Sequence, residues 1–99
     1  MSRIAVVGSG IAGMAAAYFL SRENEVHLLE RESRLGGHTH THQIDASCGI
    51  LPIDTGFIVH NNRTYPNLVK LFHQLGIERQ QAEMSFGVSC RKTSFEYSS

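Results

Sequence analysis

The stretch Gly8-Ser9-Gly10-Ile11-Ala12-Gly13 constrains this chain more than any other. It spaces three glycines as G-x-G-x-x-G, directly after the apolar run of residues 3–7 (RIAVV) and directly before the alanine-rich IAGMAAAYFLSR. Alone the spacing is a weak signal, since three such glycines arise by chance in about 3% of chains this long at a glycine frequency near 7%. Its setting strengthens it. A short apolar run bounded by glycine suits a strand buried on both faces. Residues 11 to about 22 have helical propensity, with Ile11, Met14, Ala15, Tyr18 and Phe19 at helical spacing. EVHLLE at 25–30 reads as a second strand, so 28 residues form a compact βαβ unit with a right-handed connection.

In such a unit each glycine has a physical task. Gly8 permits the tight turn out of the strand, Gly10 admits a pyrophosphate close to the backbone, and Gly13 lets the helix pack on the strand. Ser9, Ile11 and Ala12 complete the loop, and the first N–H groups of the helix face the phosphates at the positive end of its dipole. Glu30 closes the second strand 22 residues after Gly8, near the ~20 expected for a carboxylate that accepts hydrogen bonds from an adenosine ribose diol. An acid there disfavours a 2′-phosphate and hence NADP. Arg31 follows it and joins the candidate cofactor-binding set.

After Glu30 the pattern changes. RESRLGG is polar and then glycine-rich, HTHTHQID alternates with period 2, and GILPIDTGFIV supplies two short extended pieces around Pro52 and Gly56. A helix is expected over TYPNLVKLFHQLG, with Thr64 as N-cap, Pro66 in the first turn, an apolar face of Leu68, Val69, Phe72 and Leu75, and Gly76 as the stop. The end, MSFGVSCRKTSFEYSS, reads as a hairpin turning at RKTS. Met14, Tyr18, Phe19, Phe72 and Phe86 are expected in the core. The fold class is therefore α/β, a Rossmann-like βαβ dinucleotide-binding unit followed by a β-rich excursion and one helix. It is incomplete, because a doubly wound sheet needs three or four covered parallel strands and this chain offers two. Residues 1–99 are therefore expected to be the N-terminal piece of a larger protein or a truncated product.

Taken together, IAVVGSGIAGMAAAYFL, VHLLERESRLGGHTHT and DTGFIVHNNRTYPNL resemble the N-terminus of the flavin-containing amine oxidase superfamily, and in particular its bacterial predicted NAD/FAD-binding members. The diagnostic part is R-x-G-G at Arg34, Leu35, Gly36 and Gly37. The resemblance implies that residues 1–99 are the N-terminal part of an FAD-binding domain, with the rest of that domain and the substrate domain outside them. It implies further that the first glycine loop and Glu30 hold the ADP half of FAD, that R-x-G-G lies along the pyrophosphate, and that Asp54-Thr55-Gly56 passes close to the flavin ring. Physically, a guanidinium beside two Cβ-free amides makes a second anion cradle. Many members have arginine after the glycine pair, where this chain has His38.

His38, His40 and His42 at alternate positions of one strand would share a face. They would span ~13 Å, too far for one ion without a bend, so no metal site is expected. No Ser/His/Asp or Cys/His ordering suggests nucleophilic catalysis, and the catalytic residues stay unassigned. The 41% hydrophobic and 18% charged residues are those of a globular chain. Nine basic and nine acidic residues cancel, which leaves no footprint for nucleic acid or an anionic membrane. Cys48 and Cys90 read as reduced, partly buried thiols of a cytoplasmic protein. No apolar run reaches the ~18 residues of a membrane span, and the glycines interrupt the N-terminal apolar stretch as no signal peptide would.

The leading expectation is an FAD-dependent oxidoreductase of amine oxidase or desaturase type, to which this chain supplies the ADP- and pyrophosphate-binding part. Its small-molecule substrate is not legible, the isolated chain is expected to be inactive, and the rest of its own sequence or a partner would complete the fold. The alternatives are an NAD-binding dehydrogenase segment and a truncated, non-catalytic fragment.

Overall fold

The computed structural model describes residues 1–99. Contacts divide them into two compact units, Met1–Ile58 and Val59–Ser99. The first unit holds β1 (Arg3–Val7), α1 (Ile11–Leu20), β2 (Glu25–Leu29), β3 (His40–Ala46) and β4 (Gly49–Thr55). The second holds α2 (Pro66–Leu75), β5 (Gly87–Cys90) and β6 (Phe95–Ser98).

β1 and β2 pair in parallel, from Arg3 opposite Glu25 to Val7 opposite Leu29. Ile4, Val6, Val26 and Leu28 alternate as the half-buried positions, as period 2 requires. α1 crosses between the two strands and packs on both. Its half-buried residues are the small ones, Gly13 and Ala15 to Ala17. Small side chains let the helix sit close to a two-stranded sheet, which turns the large ones outward. Met14, Tyr18 and Phe19 are therefore not core residues: they stay 42%, 37% and 45% exposed. The Tyr18 and Phe19 rings meet edge to face at 5.2 Å, and the Arg22 guanidinium lies over both.

α1 stops at Leu20, about two residues earlier than expected. Asn24 explains the stop, because its backbone N–H and its Nδ2 both donate to the Leu20 carbonyl at 3.1 Å. Asn24 Oδ1 in turn accepts from the Ser2 N–H at 3.1 Å, which delivers the chain into β2 beside β1.

β3 and β4 form an antiparallel hairpin from His40 opposite Thr55 to Ala46 opposite Gly49. The expected two pieces around Pro52 and Gly56 are one strand ending at Thr55. Pro52 is tolerated inside it because a two-stranded sheet leaves every strand an edge. His38 lies in the turn before β3 and not on the strand, so the expected three-histidine face reduces to His40 and His42, whose ring centroids are 3.8 Å apart.

In the second unit, α2 has Pro66 in its first turn and Gly76 in the left-handed conformation (φ +68°) at its end, as expected. Ile77 N–H closes back on the Phe72 carbonyl at 2.9 Å. Thr64 does not cap the helix. The N-cap is Tyr65, because Asn61 Oδ1 captures the N–H groups of Arg63 and Thr64 and the Thr64 hydroxyl in the preceding turn. Leu68, Val69 and Phe72 are half-buried, whereas Leu75 is exposed. β5 and β6 make the expected hairpin, turning at residues 91–94 with Ser94 at φ +55°. Phe86, expected in the core, is exposed beside Tyr97. Cys90 is a half-buried free thiol; Cys48 is exposed, because it sits in the two-residue turn between β3 and β4. No hydrophobic side chain is fully buried, and the one buried residue is Ser9. No helix is long and apolar enough to cross a membrane.

Candidate functional site

The loop between β1 and α1 is anchored at both ends. Gly8 N–H donates to the Leu29 carbonyl at 2.8 Å, which extends the parallel ladder by one bond. The first helical bond runs from Met14 N–H to the Gly10 carbonyl at 2.9 Å. The N–H groups of Ile11, Ala12 and Gly13 therefore precede the intrahelical ladder and carry the positive end of the helix dipole. Gly10 is the N-cap and has no side chain to satisfy them.

Two glycines in this loop differ in what requires them. A Cβ on Gly13 would fall 1.9 Å from the Gly8 carbonyl oxygen, so the protein itself forbids one. A Cβ on Gly10 would meet nothing within 4 Å, and its φ of −68° and ψ of 178° suit any residue. Packing and backbone conformation therefore do not account for glycine at position 10.

Glu30 follows β2 and reaches back to the loop. Its Oε2 accepts from Ser9 N–H at 2.8 Å and from Ser9 Oγ at 2.5 Å, and its Oε1 accepts from Glu32 N–H at 2.9 Å. These donors, the Glu32 amide first and the Ser9 hydroxyl and amide next, pull the carboxyl down to a pKa of about 2. Glu30 is thus a fixed anion at any physiological pH. Arg31 points away from this cluster and pairs with Glu32 at 3.3 Å on the surface.

The R-x-G-G turn abuts the first loop. Gly36 N–H donates to the Ser9 carbonyl at 3.0 Å, and a Cβ on Gly37 would lie 2.9 Å from Gly10 Cα. The Arg34 guanidinium closes on its own turn, with Nη2 donating to the Gly37 carbonyl at 2.7 Å and Nη1 to the Thr39 carbonyl at 3.0 Å. Here the cation shapes the turn. Thr39 adds a second clasp, its hydroxyl donating to the Gly36 carbonyl at 2.8 Å.

The Asp54-Thr55-Gly56 segment meets the same turn from the other side. Gly56 (φ +81°) packs so closely on His38 that a Cβ would come within 2.1 Å of its carbonyl oxygen. Thr55 donates its hydroxyl to the His40 carbonyl at 2.7 Å, and Asp54 accepts from the Thr41 hydroxyl at 2.6 Å. A cleft of about 410 Å³ opens along the turn, lined by Arg34, Leu35, Gly36, Thr39, His40 and Thr41. Desolvation, and then the neighbouring Arg34 and His42 charges, lower the His40 pKa below its ordinary value.

The structure therefore brings Gly8 to Gly13, Glu30, Gly36, Gly37, His38, Thr55 and Gly56 into one contiguous run of contacts. It leaves the Arg31 side chain outside that run, while the Arg31 N–H adds to the pull on Glu30. Sequence reasoning did not single out Thr39 or Thr41. A threonine three residues after a glycine, poised to close a hydroxyl turn, was the available signal for Thr39. Nor did spacing show that Ser9 joins Glu30 to the second turn.

Comparison with known proteins agrees with this geometry. A family model described as an NAD(P)-binding Rossmann-like domain matches residues 6–75. Among curated proteins, the flavin-dependent L-tryptophan oxidase RebO of Lentzea aerocolonigenes is 38% identical over 55 residues. The match covers 54% of this chain and 12% of the oxidase, so this chain spans only a small part of that relative's length.

Proposed function

The chain belongs to the family of NAD(P)-binding Rossmann-like domains, and from that premise we propose that it supplies the ADP- and pyrophosphate-binding part of an FAD-dependent oxidoreductase. The observation that carries the reading is the open space over Gly10. A glycine that the protein's own packing does not require, at the mouth of a helix whose first N–H groups lie outside the helical ladder, fits a phosphate that approaches the backbone closely.

The other residues fit the rest of a dinucleotide. Glu30, held ionised, accepts a ribose hydroxyl and repels a 2′-phosphate. The Gly36 amide, held by the Ser9 carbonyl, fixes the R-x-G-G turn against the first loop, and the Gly37 backbone packs on Gly10, where a second phosphate would follow the first. Gly56, pressed on His38, continues the run of contacts away from the adenosine end. Bound in this way, FAD would supply the hydride acceptor for oxidation of a C–N or C–C bond. The protein's part is to hold it and tune it. The likeness to a flavin-dependent oxidase supports flavin over nicotinamide. The family's NAD(P) description favours the second reading, a nicotinamide dehydrogenase segment.

Titration of the full chain with FAD, ADP, NAD and NADP separates the two. The flavin reading expects FAD and ADP to bind competitively and more tightly than NAD, with NADP weakest. NAD binding without FAD binding would establish the second reading instead, and binding of none of the four would refute both.

A further inference from the structure

We propose that Ser9 is a positioning residue that makes the nucleotide site selective for ribose, by holding Glu30 Oε2 so that Oε1 faces the sugar, and by tying that carboxylate to the R-x-G-G turn. The inference rests on the nucleotide reading above and deepens it. Its starting point is an inversion: the single fully buried residue of the chain is a serine, although apolar residues ordinarily occupy the most buried positions.

Burial of a polar group without partners is costly, and here every polar group of Ser9 has one. Its N–H and Oγ–H both donate to Glu30 Oε2, and its carbonyl accepts from Gly36 N–H. A carboxylate offers about four acceptor sites, two on each oxygen. Oε2 is filled by the two Ser9 donors. Oε1 accepts the Glu32 N–H at 2.9 Å, the Arg31 N–H adds only the weakest pull on the carboxylate, and Oε1 is the oxygen left to take a hydroxyl. Ser9 thus decides which oxygen reads the ribose. Because its carbonyl also holds Gly36, a shift in either loop is transmitted to the other through one residue. Alanine at position 9 would keep both backbone links and remove the hydroxyl, which is the second-largest cause of the depressed Glu30 pKa.

The test compares binding of ADP and of 2′,3′-dideoxy-ADP by the full chain and by Ser9→Ala, as a function of pH. In the unmodified chain the diol is expected to improve affinity about tenfold or more, as a hydrogen bond to a charged group does. In Ser9→Ala that ratio should shrink several-fold. The acid midpoint of the Glu30 carboxyl, followed by NMR without nucleotide, should also rise from about 2 toward the ordinary value of 4.5. An equal loss for both nucleotides with an unmoved midpoint would overturn the proposal and leave the nucleotide reading intact. Failure of the unmodified chain to bind ADP would instead remove the reading on which it rests. Should Ser9→Ala not fold, an NMR titration of the unmodified chain decides. The Ser9 amide must follow the Glu30 carboxyl and show it still ionised at pH 3.5; a carboxyl titrating near 4.5, or an unresponsive Ser9 amide, overturns the proposal.

Discussion

Alanine placed at Gly10 and at Gly13 separates binding from folding within a single loop. At Gly13 the new Cβ would lie 1.9 Å from the Gly8 carbonyl oxygen and 3.0 Å from its carbon. Both neighbours are backbone, so α1 must move off β1 by more than an ångström. Overpacking of this kind costs about 1–3 kcal/mol, enough to lower the thermal midpoint of the first unit by several degrees. At Gly10 the same methyl meets no protein atom within 4 Å, and the backbone already has dihedrals that alanine adopts. Alanine is a poorer N-cap than glycine by about 0.5–1 kcal/mol, so the fold should respond only modestly. The phosphate should respond strongly. A methyl above the helix mouth displaces it from the Ile11 and Ala12 N–H groups, and each charge-assisted bond lost costs about 1.5–3 kcal/mol, or about 10- to 150-fold in Kd. Circular dichroism melts and ADP titrations on both variants give the four numbers required. Gly10→Ala binding ADP like the unmodified chain, or melting as early as Gly13→Ala, would refute the assignment of that space to a ligand.

Two further outcomes follow from the same contacts. Glu30 has a folded pKa of about 2 against an ordinary 4.5, so its contribution to stability is fully present above about pH 4.5 and is lost as pH falls through 2. The protection of the Ser9 and Glu32 amides, taken against each amide's intrinsic exchange rate at the same pH, should therefore be level from neutrality to pH 4.5 and fall below it, and Glu30→Gln should abolish that acid limb. Arg34→Ala should speed amide exchange at Gly36 and Thr39 and weaken ADP binding without changing its dependence on salt. A salt slope reduced by about one charge would show that the guanidinium touches phosphate directly.

The parts of this structure legible in the sequence are those governed by local chemistry. β1, β2 and the helix between them follow from apolar runs and glycine spacing, and the end of α2 follows from Gly76, the one residue there free to take φ +68°. The end of α1 was not legible, because it depends on Asn24 turning two donors onto one carbonyl. Thr64 looked like a cap, and lost the role because Asn61 reached its amide and hydroxyl first. The apolar face of α1 failed for a different reason. Helical spacing marks which residues of α1 lie together, yet the close approach at Gly13 assigns the sheet side to the alanines and turns Tyr18 and Phe19 outward. Within the candidate site, spacing alone found Gly10 and Glu30. The residue that joins them looked like filler between two glycines.

That joining residue bears on how the first unit holds together. With no hydrophobic side chain fully buried, its loops depend on directional contacts: two Ser9 donors on Glu30, the Gly36 amide on Ser9, the Arg34 fork on Gly37 and Thr39, and glycine backbones pressed against one another. A typical intramolecular hydrogen bond adds only about 0.5–1.5 kcal/mol net, so such a junction is orderly without being strong. A ligand that binds the ordered junction and not the open chain adds its own free energy to folding, about 2.7 kcal/mol at 100 times its Kd. For a domain with a full apolar core that is a modest supplement; for this junction it matches the strongest single contacts the chain makes there, hydrogen bonds to charged groups at about 1.5–3 kcal/mol. The glycines that leave room for phosphate also deprive the loops of side chains with which to pack. Binding and folding at this site are therefore coupled by the same missing Cβ atoms.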